Sequence, residues 1–420
     1  MLVVTACAVE PPESPSPATE LQQPSDDPAA HEVDRGGDAA VGGVLGERGG
    51  VGEAPEVAHE SPPRRFTIAA AGDILPHTAV IERAAAYGEA SGHEYDFRPM
   101  FAEVEPVLAG ADLAVCHLEV PLSADNADVY GGGDRRTPGD APLFHAPWQL
   151  ADGIAAAGFD ACSTAHNHSL DAGADGVTTT LDALEAAGVG AAGTARTAEE
   201  AAEPVIYDVN EVAVAHLSAT YGLNNVPMPQ DQPWLVDVID VDTIVADAEA
   251  ARAAGAEFVL VSLHHGVEYQ VEPSDAQRSR ADALLANDAI DAIVGHHAHV
   301  VQPIDRRHGK VVAYGLGNFL SNQHPDLTGP RTVDGVIVLV EVVEADGAGG
   351  FVVDAVSFVP TWVDRTTHVI VDVGAALADD TLDERRRAEL EASWDRTVEA
   401  ITGEGAEVWG VTAATPVAAE

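Results

Sequence analysis

In residues 162–175 the sequence sets His166, Asn167, His168 and Asp171 within six positions, directly after the apolar run that ends at Ala165. Two imidazoles, an amide and a carboxylate in so short a span suit a combined metal and proton-transfer site. Imidazole and oxygen donors bind borderline divalent ions, and histidine passes a proton near neutral pH. Related groups recur after other apolar runs: Asp73 after 66–71, Glu119 after 113–116, His264 after 257–263, and Gly295-His-His-Ala-His299 after 290–294. In the last of these, His297 and His299 are spaced by one residue and can approach one centre from the same side.

Such groups act together only if the chain delivers them to one place. Each run before a candidate reads as a buried strand, and helical patterns fall between them. Residues 148–157 read as a helix closed by Gly158, and Val177, Leu181 and Leu184 follow helical spacing up to a stop at Gly188. Residues 243–254 and 273–287 read as further helices. The alternation predicts an α/β core with a mostly parallel sheet, in which ligands gather beyond the carboxyl ends of the strands. Residues 204–219 predict two short strands, and 381–402 a C-terminal helix. Residues 335–343 and 351–358 have no helix between them and predict a hairpin at one edge or in a second sheet. The Gly- and Asp-rich stretch 123–145 reads as a surface loop. Residues 188–193 formally match a dinucleotide fingerprint, but they follow a helix where that motif must follow a strand.

Composition narrows the partners. Asp and Glu number 69 against 21 Lys and Arg, a net charge of -48, and Lys310 is the sole lysine. Such a chain repels nucleic acid and anionic membranes, and it suits a salt-rich or cation-rich setting. Three cysteines exclude a disulfide scaffold and a four-cysteine zinc site; Cys116 and Cys162, inside apolar runs, read as small buried hydrophobes. Met1-Leu-Val-Val-Thr-Ala-Cys7 resembles the tail of a bacterial lipoprotein signal whose earlier part is missing. It predicts an extracytoplasmic protein held at the cell surface through a lipid on Cys7, with no other membrane contact. Residues 8–65 read as a disordered acidic linker, with order beginning near Phe66.

Several blocks resemble the bacterial capsule-synthesis CapA family, also described as poly-γ-glutamate synthesis proteins and similar to calcineurin-like metallophosphoesterases. They are Ala71-Gly-Asp-Ile-Leu75, Ala111 through Leu122, Ala157 through His168 with Asp171 and Gly173, Leu263-His-His-Gly-Val-Glu-Tyr269, Gly295 through Gln302, and Tyr314-Gly-Leu-Gly-Asn-Phe319. The resemblance covers about 66–322 and leaves 323–420 as strands and a helix completing the domain. It implies an α/β sandwich of two mixed sheets flanked by helices, with one or two divalent ions (Mn, Fe or Zn) at one end. By carry-over Asp73 holds the first ion, Glu119 bridges, Asn167, His264 and His297 hold the second, and His299 returns to the first. His168, oriented by Asp171, is then the proton donor. His117, His166 and His265 stand where that family more often has Asn, Asn and Trp, so these three, with His296 and Asn318, are auxiliary candidates.

Two functions follow from the resemblance. One is a cell-surface metal-dependent hydrolase acting on a phosphoester or amide of an envelope polymer, alongside the capsule-synthesis machinery. The other is a non-catalytic protein that binds or transfers an anionic polymer such as poly-γ-glutamate. A proton donor at His168 favours the first.

Overall fold

The computed structural model describes residues 62–345, 349–403, 405–406 and 410–414. Cys7 and nearly all of the linker expected at 8–65 lie outside the described residues. The first strand is Arg65–Ile74.

Two sheets form the core. The first runs Ile370–Asp372, Phe351–Val363, Asp334–Glu344, Arg65–Ile74, Leu113–Leu118, Ala161–Ser163, Gly190–Ala192, with Asn318–Leu320 added beside Arg65–Ile74. The second runs Ile304–Arg307, Lys310–Ala313, Ala292–His296, Phe258–His264, Val212–Thr220, Ile206–Val209. Side chains alternate between the faces of a strand, so each strand feeds two cores. Ile68 and Ala70 pack with Leu113 and Val115 against Val214, Phe258, Leu260 and Val294 between the sheets. Ala69 and Ala71 point the other way, onto a cluster with Met100, Phe101, Leu150 and Ile154. On the outer face of the second sheet, Val259, Val261 and Ile293 meet Ile244, Ala248, Leu284 and Leu285. The layers are therefore helix, sheet, sheet, helix, as expected.

Local chemistry sets the helix ends. Gly173–Ala187 buries Val177, Leu181 and Leu184 and stops at Gly188, which takes the left-handed conformation (φ 79°) that glycine adopts freely. Asp275–Leu285 opens with a reciprocal cap in which the Ser274 side chain accepts from the Gln277 backbone and the Gln277 side chain accepts from Ser274. Among the described residues no helix is long and apolar enough to cross a membrane.

Three expectations need correction. The hairpin Asp334–Glu344 and Phe351–Val363 lies toward one edge of the first sheet, where only the short strands Ile370–Asp372 and Thr412–Ala413 flank Phe351–Val363, but its Asp334–Glu344 arm pairs antiparallel with Arg65–Ile74 in the interior. Its mostly buried residues fit that interior place, and they make the first sheet mixed rather than mostly parallel. The stretch 123–145 is not a plain loop: Tyr130–Arg136 and Pro142–Pro147 pair antiparallel, and Leu122–Ser123 joins them. Gly131 serves close packing, since a Cβ on it would lie 2.3 Å from the Thr78 nitrogen. Lastly, Cys116 and Cys162 are buried as expected but are joined by a disulfide. They face each other on neighbouring parallel strands, with Cα atoms 4.4 Å apart.

Candidate metal and proton-transfer site

Strand ends deliver the polar groups. The Arg65–Ile74 strand carries Asp73 next to Asn318 on one side and His117 on the other. The Phe258–His264 strand sets His264 beside His296 of Ala292–His296. Close backbone approach holds these ends in register, for a Cβ on Gly72 would fall 2.1 Å from the Gly317 oxygen and one on Gly295 2.0 Å from the Tyr314 oxygen. The turn after Ala292–His296 bends through His297 (φ 85°) and His299 (φ 54°). Side-chain-bearing residues rarely occupy that region, and such outliers gather at functional sites.

The structure gathers Asp73, Glu119, Asn167, His264, His297 and His299 in one buried cluster. Asp73 Oδ2 lies 3.0 Å from His299 Nδ1. Glu119 Oε1 lies 3.7 Å from His264 Nε2 and 3.8 Å from His299 Nε2. Asn167 Oδ1 is 3.0 Å from His264 Nε2, and the Asn167 amide nitrogen donates to Asn224 Oδ1 at 3.3 Å. Three overlapping groups have ligand atoms within 4.8 Å of one another: Asp73, His117 and His296; His117, Glu119 and His264; Glu119, His297 and His299. Asn318 is tied down on every side. Its Oδ1 faces His299 Nδ1 at 3.1 Å, while its amide nitrogen donates to the His299 and Thr332 carbonyls and to Gln323 Oε1.

Other candidates sit around this cluster in different ways. His168 Nδ1 lies 2.8 Å from Asp171 Oδ2, and because a carboxylate only accepts, the imidazole donates there. The same oxygen accepts from the Phe144 backbone, and the Phe144 ring meets His168 edge-on at 4.8 Å. His166 Nδ1 accepts from the His168 backbone at 3.1 Å, which folds the turn locally. His265 is buried and belongs to none of the three groups. His296 comes closer to the centre than its auxiliary place suggested, with Nδ1 3.1 Å from Asp73 Oδ1 and its ring stacked on His117 at 4.0 Å.

Sequence reasoning passed over Asn224 and Tyr221. Asn224 is buried against Asn167 and His168, and the Tyr221 ring lies 4.6 Å from that of His297. Both follow Val212–Thr220. Treating that strand end like the other five would have found them.

The electrostatics favour a cation at the centre. Glu119 is wholly buried, yet both of its carboxylate oxygens lack a hydrogen-bond partner, and the buried Nδ1 of His297 lacks one too. A bare buried carboxylate costs several kcal/mol, on the order of a lost charge pair, so a cation between these groups fits the donor set. Burial drives the Glu119 carboxyl well above its usual range, against the pull of His299. Burial also holds His117, His166, His264 and His265 well below the ordinary imidazole range and lowers His297 to about 4. His299 moves the other way, to about 10: burial opposes its charge, but Glu119 and Asp73 outweigh burial. Burial would raise Asp73, but the hydrogen bonds from His296 and His299 hold it below the usual carboxylate range.

Comparisons with known proteins bear on the family of the chain. The family model for the bacterial capsule synthesis protein PGA_cap matches residues 67–323. Capsule biosynthesis protein CapA of Bacillus anthracis is 28% identical over 263 residues, 62% of this chain and 60% of its own length. PGA biosynthesis protein CapA of Bacillus subtilis is 28% identical over 262 residues, 60% of this chain and 63% of its own length. The match thus spans less than two thirds of either relative. Among solved structures, the calcineurin-like phosphoesterase YfkN from Bacillus subtilis aligns with a TM-score of 0.39 at 15% identity, over 80% of this chain and 99% of that one.

Proposed function

Since the chain belongs to the bacterial capsule synthesis protein family, we propose that it is a divalent-metal-dependent hydrolase acting on a phosphoester or amide bond of an anionic envelope polymer. The observation that carries this reading is Glu119, buried between His264 and His299 with both oxygens unpartnered. Asp73, Glu119 and His299 would hold one ion, and Glu119, Asn167, His264 and His297 a second. When bound, such ions polarise the oxygen of the scissile group and make water a better nucleophile. The chain itself supplies the proton. Asp171 occupies Nδ1 of His168, which leaves Nε2 for the leaving oxygen or nitrogen, and the Phe144 ring limits how His168 can turn. A protein that only bound the polymer would have no use for that histidine–carboxylate pair.

The disulfide supports an oxidising compartment, because such bridges persist outside the cytoplasm. Attachment through a lipid on Cys7, and contact with the machinery that builds the polymer, belong to the same proposal. Protein purified without chelator is expected to carry divalent ions and to cleave a model phosphodiester or a γ-glutamyl amide, and His299→Ala should lose both properties. A chain without bound ions, in which His299→Ala changes no rate, overturns the hydrolase reading. Incorporation of labelled fatty acid into the wild type but not into Cys7→Ala tests the anchor.

A further inference from the structure

His117 lies two residues before Glu119, fully buried, and both of its ring nitrogens are engaged. Nδ1 is 2.7 Å from Ser163 Oγ, and Nε2 is 2.8 Å from Nδ1 of His264. Its ring face is covered by His296. Beyond His264 the chain of contacts continues to Asn167 Oδ1, and beyond Ser163 it ends on the Cys116 carbonyl, 3.3 Å from the hydroxyl.

Two imidazole nitrogens 2.8 Å apart need one N–H and one lone pair, so this row can hold its protons in only two orders. In the first, His264 donates from Nε2 to Asn167 Oδ1, and no lone pair faces Glu119. In the second, His264 carries its proton on Nδ1 and donates to His117. His117 then donates from Nδ1 to Ser163, and Ser163 donates to the Cys116 carbonyl. The links from His264 Nδ1 to the Cys116 carbonyl are all satisfied, while Nε2 of His264 turns a lone pair toward Asn167 Oδ1 and Glu119, acceptors that only a cation could join. Only the second order lets His264 hold a cation.

We propose that His117 is a positioning residue for the metal centre: it accepts the His264 Nδ1 proton, so that His264 presents Nε2 to the ion, and is not itself a ligand. This rests on the metal reading above. His117 does group with Asp73 and His296 as a possible ligand set. To ligate there through Nε2, it would have to give up the 2.8 Å contact with His264 and leave that histidine without a partner on Nδ1; through Nδ1, it would give up the 2.7 Å contact with Ser163. Outer partners of this kind typically change metal affinity about 10–100-fold when removed.

The test uses the whole chain, stripped of metal and titrated with Zn(II) in a calorimeter, with Co(II) absorption as a second readout. His117→Phe, which fills the space without an acceptor, is expected to weaken Zn(II) binding by about 10–100-fold. His117→Gln should restore most of the affinity, and its Co(II) bands should match wild type because the ligand set is unchanged. Ser163→Ala, which removes the far end of the row, should weaken binding by a smaller factor and serves if His117→Phe does not fold. Nitrogen-15 spectra of the Zn(II)-loaded wild type should place the His264 proton on Nδ1. Unchanged affinity in His117→Phe and Ser163→Ala overturns the proposal, as does a His117→Gln protein with altered Co(II) bands and no recovery of affinity, which would make His117 a ligand. A wild type that takes up neither ion overturns the metal reading itself, an outcome distinct from either of those.

Discussion

Asp171, under the proposed function, acts by holding another side chain. Its Oδ2 receives both the His168 imidazole and the Phe144 amide, so it fixes where the histidine points and which nitrogen stays free. Asp171→Asn keeps the shape but offers the wrong hydrogen-bonding group on one side. Its turnover is expected to fall by about 10²–10⁴-fold with bound metal unchanged, measured by steady-state rates and elemental analysis on the same sample. His216, not among the cluster's ligand groups, carries a different cost. It is fully buried on Val212–Thr220 with Nε2 2.9 Å from Ser262 Oγ, and burial, reinforced by His296, lowers it to about 3. The unfolded chain takes up this proton near pH ~6.5 and the folded chain does not, so stability is level above that pH and falls as pH drops toward 3. At pH ~5 this one group costs about 2 kcal/mol. His216→Gln, which cannot titrate, should lose about that much less stability than wild type between pH ~7 and ~5 in urea unfolding.

At the scale of the element, the site depends on strands ending where they do. Gly295 closes Ala292–His296 against the Tyr314 carbonyl, and a Cβ there would collide with backbone rather than with a side chain that can yield. Gly295→Ala is expected to cost about 1–3 kcal/mol and to weaken metal binding, because the displaced turn carries His297 and His299. Much of this level was readable beforehand. Apolar runs ending at a polar residue picked out Asp73, Glu119, Asn167, His264, His297 and His299, and the fold puts all six in one place. Their roles as ligands follow from the resemblance and await the metal experiments. What lay hidden was pairing. No local pattern tells Asp334–Glu344 that its neighbour is Arg65–Ile74, or Cys116 that it faces Cys162, since both are matters of register between distant segments. The helix Thr78–Ser91 escaped for another reason: five of its residues are alanine, which blurs the helical period.

Across the whole molecule, the disulfide ties the strand that leads into Glu119 to the strand that leads into Asn167, just below the cluster. Cross-linking residues 46 apart removes unfolded-state freedom worth up to about 4 kcal/mol. The double variant Cys116→Ala with Cys162→Ala should therefore unfold at lower urea by a comparable amount. An unchanged midpoint would mean that the bridge adds nothing to the packing already there.

The central strand has a further consequence, for where this domain can be divided. The family match ends at residue 323, yet the partner that covers Arg65–Ala71 on one side, from Val343 to Ile337, lies beyond that point. Cut after 323, the chain would keep nearly every residue of the cluster but leave an apolar middle strand with an open row of amides and carbonyls, ready to pair with another copy. The Asp334–Glu344 strand thus occupies the edge that such pairing would use.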